Sequence, residues 1–301
     1  MYPKCSNSCP VSCSGDCLGT ELGLPLPPDG LLEPSGRAQG IATGRAASGT
    51  LAGPERRLTS YGEVAATMTI GILKTDTVRP EWVGRFGEYP DMFEVLLRQV
   101  DPSLEFQTWD AEAGELPDDL SAVDGFIITG SKSSVYDDKP WIRGLEDFVR
   151  HAHLARCKLV GICFGHQLVA RALGGLVDKS SEGWGCGVQV YGVSDSQLLA
   201  DGEGADLQLL ASHQDQVMLA PEGARVIARN DHCDIAGFRI GEHILTFQGH
   251  PEFIPEYSRE IMTYRREMIG EERVAQGMAS LDTLEHQGVR VARWMLNFLH
   301  A

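Results

Sequence analysis

The chain has 301 residues, 43% of them hydrophobic, and a formal net charge of −16, which is enough apolar material for one large or two modest cores. Nearly all of that charge follows residue 67, where 21 Lys and Arg stand against 36 Asp and Glu; so anionic a surface repels phosphate backbones and acidic lipid, and neither nucleic acid nor a membrane surface is an expected partner. The sequence contains no run of about 18 apolar residues, the length a spanning helix needs.

Residues 1–67 hold 10 Gly and 7 Pro, with scattered large apolar side chains and no periodic pattern. Such a segment cannot bury enough apolar surface to offset its ordering entropy. It is expected to be disordered: either a genuine N-terminal extension or an over-extended reading of the gene, with Met68 the true start. It lacks the continuous apolar core of a secretory signal. Its later half, rich in Arg, Ala and Ser, has the composition of an organelle transit peptide, but a cytoplasmic location fits the chain better. Cys5, Cys9, Cys13 and Cys17 recur every four residues there. Pro3, Pro10 and Gly15 argue against the helix that would align them, and no partner His is near, so no metal site is expected. Cys157, Cys163, Cys186 and Cys233 show no framework spacing and read as reduced thiols.

From Met68 the texture becomes strand and helix. "TMTIGIL" predicts a strand, and "EYPDMFEVLLRQV" a helix with Met92, Phe93, Leu96, Leu97 and Val100 on one face. "LEFQTWD" and "DGFIITG" predict two more strands, the latter ending in a glycine turn. "WIRGLEDFVRHAH" predicts a helix with Trp141, Leu145, Phe148 and Val149 as its apolar side. "KLVGI" predicts a fourth strand, followed by a helix beginning near His166. This order implies an α/β domain over 68–301, with a largely parallel central sheet, flanking helices and sites at strand carboxyl ends. Beyond Leu176 short strands follow: "GCGVQVYGV", "ADLQLL", "ARVIARN", "CDIAGFRIG" and "HILTFQGH". Two polar-faced helices, around Ile254 to Met268 and Leu281 to Leu299, close the chain.

A cysteine beside Leu159, Val160 and Ile162 would ordinarily be core. Gly161 and Gly165, however, flank Cys163 at minus and plus two, the pattern of a nucleophile elbow, where a tight strand-to-helix turn lifts the side chain from the sheet. That turn sets the sulfur at a helix N-terminus, where free N–H groups and the helix dipole favour the thiolate. Downstream, "ILTFQGHPEF" supplies His250 and Glu252 after a strand. Pro251 bars a helix between them, so both can project from one strand end. Cys163, His250 and Glu252 would then serve as nucleophile, proton carrier and orienting carboxylate for acyl transfer through a thioester.

"GICFGHQ" with "GHPE" resembles the class I (triad) glutamine amidotransferases, over roughly Gly125 to Phe253. The resemblance implies that family's flavodoxin-like fold, and "ITGSKSSVYDD" is similar to the oxyanion turn of the GMP synthase glutaminase domain. By the same resemblance, the backbone N–H groups of Ser131 and Phe164 would meet the oxyanion. Gln167 would hold the substrate's amino-acid end, and Gly130, Ser212, His213, Gln214 and Asp215 would complete the pocket. The mechanism implied is attack by Cys163 on the glutamine side-chain amide, protonation of the leaving ammonia by His250, and hydrolysis of the thioester.

Two departures stand out: Gly130-Ser131-Lys132 replaces the common Gly-Gly-Pro, and Gln214 replaces a glycine. Both add side chains near the expected substrate. Nothing after the glutaminase part could be an ATP-using domain, and there is no P-loop, so the likeness is to stand-alone, GMP-synthase-like amidotransferases. Three functions are compatible: a glutaminase passing ammonia to a separate synthetase subunit, a γ-glutamyl peptide hydrolase acting alone, or a non-catalytic regulatory binding protein. A small-molecule substrate, glutamine or a γ-glutamyl compound, is expected, with no cofactor. Asp137 and Asp138 read as helix-start residues, His151 and His153 as helix-end cations, and Cys186 as a packed thiol.

Overall fold

A computed structural model describes residues 67–301; the N-terminal extension and its four cysteines lie outside the described residues. Nine strands form one sheet in the order β2-β1-β3-β4-β11-β10-β9-β6-β7. The first five are parallel: β2 (Glu105–Asp110), β1 (Thr69–Lys74), β3 (Gly125–Ile128), β4 (Leu159–Ile162) and β11 (Ile244–Phe247). The remaining four, β10 (Cys233–Ile240), β9 (Ala224–Asn230), β6 (Gly185–Val193) and β7 (Asp206–His213), continue it antiparallel. β5 (Leu176–Lys179) and β8 (Asp215–Leu219) pair apart as a small ribbon.

The inner parallel strands β1, β3, β4 and β11 are buried on both faces and are mostly apolar, because helices cover each side, whereas β2, at the edge, is largely exposed. Alternation along β3 shows the two layers. Ile127 packs with Phe93 and Leu97 of α2 (Tyr89–Arg98) and with Trp294 and Met295 of α8 (Gly288–His300). Phe126 and Ile128 face Leu145 and Phe148 of α3 (Pro140–Leu154) and Leu168 of α4 (Phe164–Ala172). α2 starts with a reciprocal capping box between Glu88 and Asp91 and a Pro in its first turn. No helix among the described residues is long and apolar enough to cross a membrane.

Several boundaries differ from the sequence expectation. α1 (Pro80–Phe86) was not foreseen: its seven residues show a single turn of apolar face, Trp82, Val83 and Phe86, which leans partly buried on Tyr257, and a proline opens it. α4 begins at Phe164, two residues before His166. The expected helix over 254–268 is two, α5 (Pro255–Tyr264) and α6 (Arg266–Ile269), which meet at Arg265. The helix expected over 281–299 starts only at Gly288, and 271–283 is a separate helix, α7 (Glu271–Thr283), packed on β6. The residues between α7 and α8 are drawn to β7 instead of continuing a helix: the Gln287 N–H donates to the Gln208 carbonyl at 2.8 Å and the Glu285 N–H to the Gln208 side chain at 2.9 Å.

Candidate functional site

Cys163 stands between β4 and α4 with φ +51° and ψ −100°, a conformation that costs a non-glycine residue on the order of 1–3 kcal/mol. The surrounding structure over-determines it. Its N–H donates to Phe247 of β11 at 2.9 Å, and its carbonyl accepts from Gln167 at 3.1 Å. The glycines at minus and plus two are required by close approach. A Cβ on Gly161 would lie 2.7 Å from the Gly165 carbonyl carbon, and one on Gly165 would lie 2.4 Å from the Ile128 oxygen. Strand, turn and helix therefore pass each other at backbone contact, and Cys163 caps the helix.

β11 is the neighbour of β4, so the chain leaving it brings His250 and Glu252 to the same sheet edge. His250 Nδ1–H donates to Glu252 Oε1 at 2.8 Å, and the ring and the Cys163 side chain both sit against Gly130. All three residues are buried. Burial opposes a charged imidazole, but the sulfur and the Glu252 carboxylate outweigh it and raise His250 to about 10. Phe253 stacks on the ring, with centroids 3.9 Å apart and planes 8° apart. The loop is clamped from behind. His250 N–H donates to the Leu210 carbonyl at 2.8 Å. His286 accepts the Leu210 N–H on Nδ1 at 3.3 Å and donates from Nε2 to the Pro251 carbonyl at 3.1 Å.

Gly130 sits against both groups: a Cβ there would lie 2.8 Å from His250 Cε1 and 3.6 Å from Cys163 Cβ. Its turn is fixed by the residues after β1. Thr75 Oγ1 donates to the Gly130 carbonyl at 2.9 Å, and Asp76 accepts the Lys132 N–H at 2.7 Å as well as its ammonium group. Lys132 is therefore turned toward Asp76. Ser131 borders the cleft, and the Phe164 N–H, first in its helix, lacks an intrahelical acceptor.

The cleft above Cys163 encloses about 360 Å³. Gln167, Ser212, His213, Gln214 and Asp215 all border it, where β7 gives way to β8. Gln167 donates to the Asp215 carbonyl at 2.7 Å and to Gln248 Oε1 at 3.1 Å, and Gln248 Nε2 in turn lies 3.6 Å from the Cys163 sulfur. The Asp215 carboxylate accepts from Ser134 at 2.5 Å and from Tyr136 at 3.1 Å. His213 is buried and held neutral, its value lowered to about 3 chiefly by that burial and also by His232 and His250. Its Nδ1 meets the Asp215 carbonyl and its Nε2 has no partner among the described residues. A second, apolar cavity of about 380 Å³ lies behind Pro251 to Ile254, between α2 and α5, and is bordered by neither Cys163 nor His250.

Sequence reasoning missed Asp76, Gln248, Phe253, His286 and the wall formed by Trp184 and Arg265. A polar pair directly after the first strand, "TD", and an amide two residues before His250 were the available signals. His286 carried none. Of the residues set aside, Cys186 is a packed thiol pushed up to about 11 by burial, and His153 hydrogen-bonds His243 at 3.0 Å.

A thiol on an elbow at the carboxyl end of a parallel sheet, near an imidazole that follows the next strand, is an arrangement suited to acyl transfer. Residues 91–266 match the family model of glutamine amidotransferase class I, and the chain belongs to that family. It is 33% identical over 195 residues to gamma-glutamyl peptidase 2 of Arabidopsis thaliana, covering 62% of this chain and 78% of that protein. A glutamine amidotransferase-like protein of Gibberella zeae is 27% identical, with 68% of this chain and 86% of the relative covered. In fold it is similar to a solved glutamine amidotransferase of Thermotoga maritima, with a TM-score of 0.59 and 18% identity over 78% of this chain and 96% of the other. Family and relatives together indicate an enzyme of the amidohydrolase and amidotransferase kind.

Proposed function

We propose that the protein hydrolyses the γ-amide bond of a γ-glutamyl compound through a thioester on Cys163, and that the leaving amine is an amino acid or peptide. The observation that carries this reading is the buried grouping at the base of the cleft, where Cys163 and His250 flank Gly130 and His250 is hydrogen-bonded to Glu252. The sulfur, as thiolate, attacks the γ-carbonyl carbon, and the oxyanion forms toward the N–H groups of Ser131 and Phe164; one such donor is worth about 3–4 kcal/mol of barrier. The tetrahedral adduct collapses with loss of the amine, which takes its proton from the His250 imidazolium. Water then attacks the thioester. His250 removes its proton, the thiolate leaves, and glutamate is released with the Cys163–His250 pair restored. Glu252 holds the ring in the tautomer and orientation these transfers need. A peptide leaving group is favoured by the relatives that bear the gamma-glutamyl peptidase name and by a cleft within the range of sites for larger ligands, about 300–1,000 Å³.

A second reading is glutamine hydrolysis with ammonia passed to a separate synthetase subunit, and the relatives named as amidotransferase-like favour it. Both readings share the triad; they differ in the leaving group. Incubation of purified protein with glutamine and with γ-glutamyl dipeptides, scored for ammonia and amino-acid release, separates them. Amino-acid release without ammonia is expected. Cleavage of glutamine alone would overturn the peptide reading, and turnover of either only with a second protein present would establish the synthetase partner.

A further inference from the structure

The cleft carries an electrostatic pattern that its thiol chemistry does not require. On a chain of net charge −16, its border includes Lys132, Lys179 and Arg265 against a single carboxylate, Asp215. Lys132 is ion-paired with Asp76. Arg265 and Lys179, by contrast, have no carboxylate within 4.0 Å among the described residues, whereas most of the arginines do. Arg265 sits where α5 meets α6. One Nη donates to the Ser212 hydroxyl at 3.0 Å, and the guanidinium lies 5.6 Å from the centre of the Trp184 ring. The group is thus held by an aromatic face and a neutral hydroxyl, half-buried, with donor capacity left over. The Asp215 carboxylate meets only hydroxyls among the described residues.

The charges left without an opposite partner on this border are therefore one anion and two cations. Free glutamine offers one ammonium and one carboxylate. A γ-glutamyl peptide offers one ammonium and two carboxylates, the second on its leaving group, and matches the set.

We propose that Arg265 binds the carboxylate of the leaving amino acid or peptide, so that the cleft selects γ-glutamyl compounds whose released amine carries an anion. The inference rests on the peptide reading above. A guanidinium and a carboxylate meet as a two-pronged, charge-assisted pair, and Arg is the side chain suited to that geometry.

The test compares γ-glutamylglycine with γ-glutamylglycinamide, which share the scissile bond and differ in the terminal charge. The native enzyme is expected to favour the acid by roughly 10- to 50-fold in kcat/KM, the span of a charged hydrogen bond in partial contact with water. In Arg265→Gln that ratio falls toward one; in Arg265→Lys, which keeps the charge, it stays between the two. Raising ionic strength lowers the native ratio as well, a readout that needs no variant to fold. A ratio near one in the native enzyme, or an unchanged ratio in Arg265→Gln, overturns the assignment while the peptide reading stands. Failure of the native enzyme to cut either compound, with glutamine cleaved, overturns both.

Discussion

Replacing Glu252 by Gln keeps the shape and an oxygen for the His250 N–H but removes the charge. The two groups are 2.8 Å apart and the carboxylate side chain is wholly buried. At an effective dielectric near 20, the attraction between the charged groups has a ceiling of ~6 kcal/mol. The amide retains part of the interaction, so the expected loss is about 3–5 kcal/mol, or roughly 10² to 10⁴ in kcat/KM. The sign with pH follows from the direction of the shift. His250 is raised to about 10, so its cation, and the stability it contributes, is fully present below the ordinary imidazole value and is lost as pH rises through the raised one. Native activity should therefore stay level across neutrality and fall on the alkaline side, and in Glu252→Gln this alkaline limb should move to lower pH. Two assays read the effect: amine release from a γ-glutamyl peptide, and the pH profile of Cys163 alkylation by iodoacetamide, with a thermal melt to verify folding. A folded Glu252→Gln enzyme within fivefold of native, with its alkaline limb unmoved, would falsify the role given to the carboxylate.

Three further outcomes follow from particular contacts. Cys163→Gly and Cys163→Ala should both abolish turnover, but glycine should be the more stable by about 1 kcal/mol in urea titration, reversing the usual order, because only glycine relaxes at φ +51°; alanine as the more stable variant would show that the elbow is unstrained. Gly130→Ala drives a methyl to 2.8 Å from His250 Cε1, and the stacked Phe253 leaves the ring little room to yield. Activity should drop about 100-fold, with a stability cost of about 1–3 kcal/mol, and a near-native kcat would mean that the ring can shift freely. Asp201→Asn removes the nearer carboxylate from the buried Arg290, contacted at 2.8 Å through Nε, and leaves it the Gly204 and Asp206 carbonyls and the more distant Glu203 carboxylate at 3.8 Å. Chemical denaturation should show a loss of about 2–3 kcal/mol at neutral pH. The Arg290 hydrogen bond holds Asp201 at about 2, so this contribution is complete above the ordinary carboxylate value and fades as pH falls through that lowered one; the native–variant gap must narrow in acid.

The parallel half of the sheet and the reactive turn were legible in the sequence for one reason. Strands buried on both faces appear as apolar runs, and a nucleophile elbow needs glycine at both flanking positions, so "LVGICFG" could be read locally. The cluster Cys163, His250 and Glu252 came from strand order together with residue type. What escaped was set by tertiary packing. α1 is too short for its one apolar turn to register as a period, and the start of α8 is delayed because Gln208 captures the preceding residues. Arg265 looked like one more polar residue of a helix, and its place on the cleft depends on the break between α5 and α6. The family resemblance led to Gln167 and the 212–215 loop, but not to Gln248, which joins Gln167 to the sulfur.

Cys163 and His250 follow adjacent strands but are distant in the chain; Gln248, two residues before His250, reaches Cys163 across 85 residues. A nascent polypeptide emerging from the ribosome completes the elbow's own residues well before the strand that pairs beside it exists. During that interval the sulfur has no His250 beside it, so on the proposed mechanism a half-made molecule is chemically silent and reactivity arrives only with the closing of the sheet.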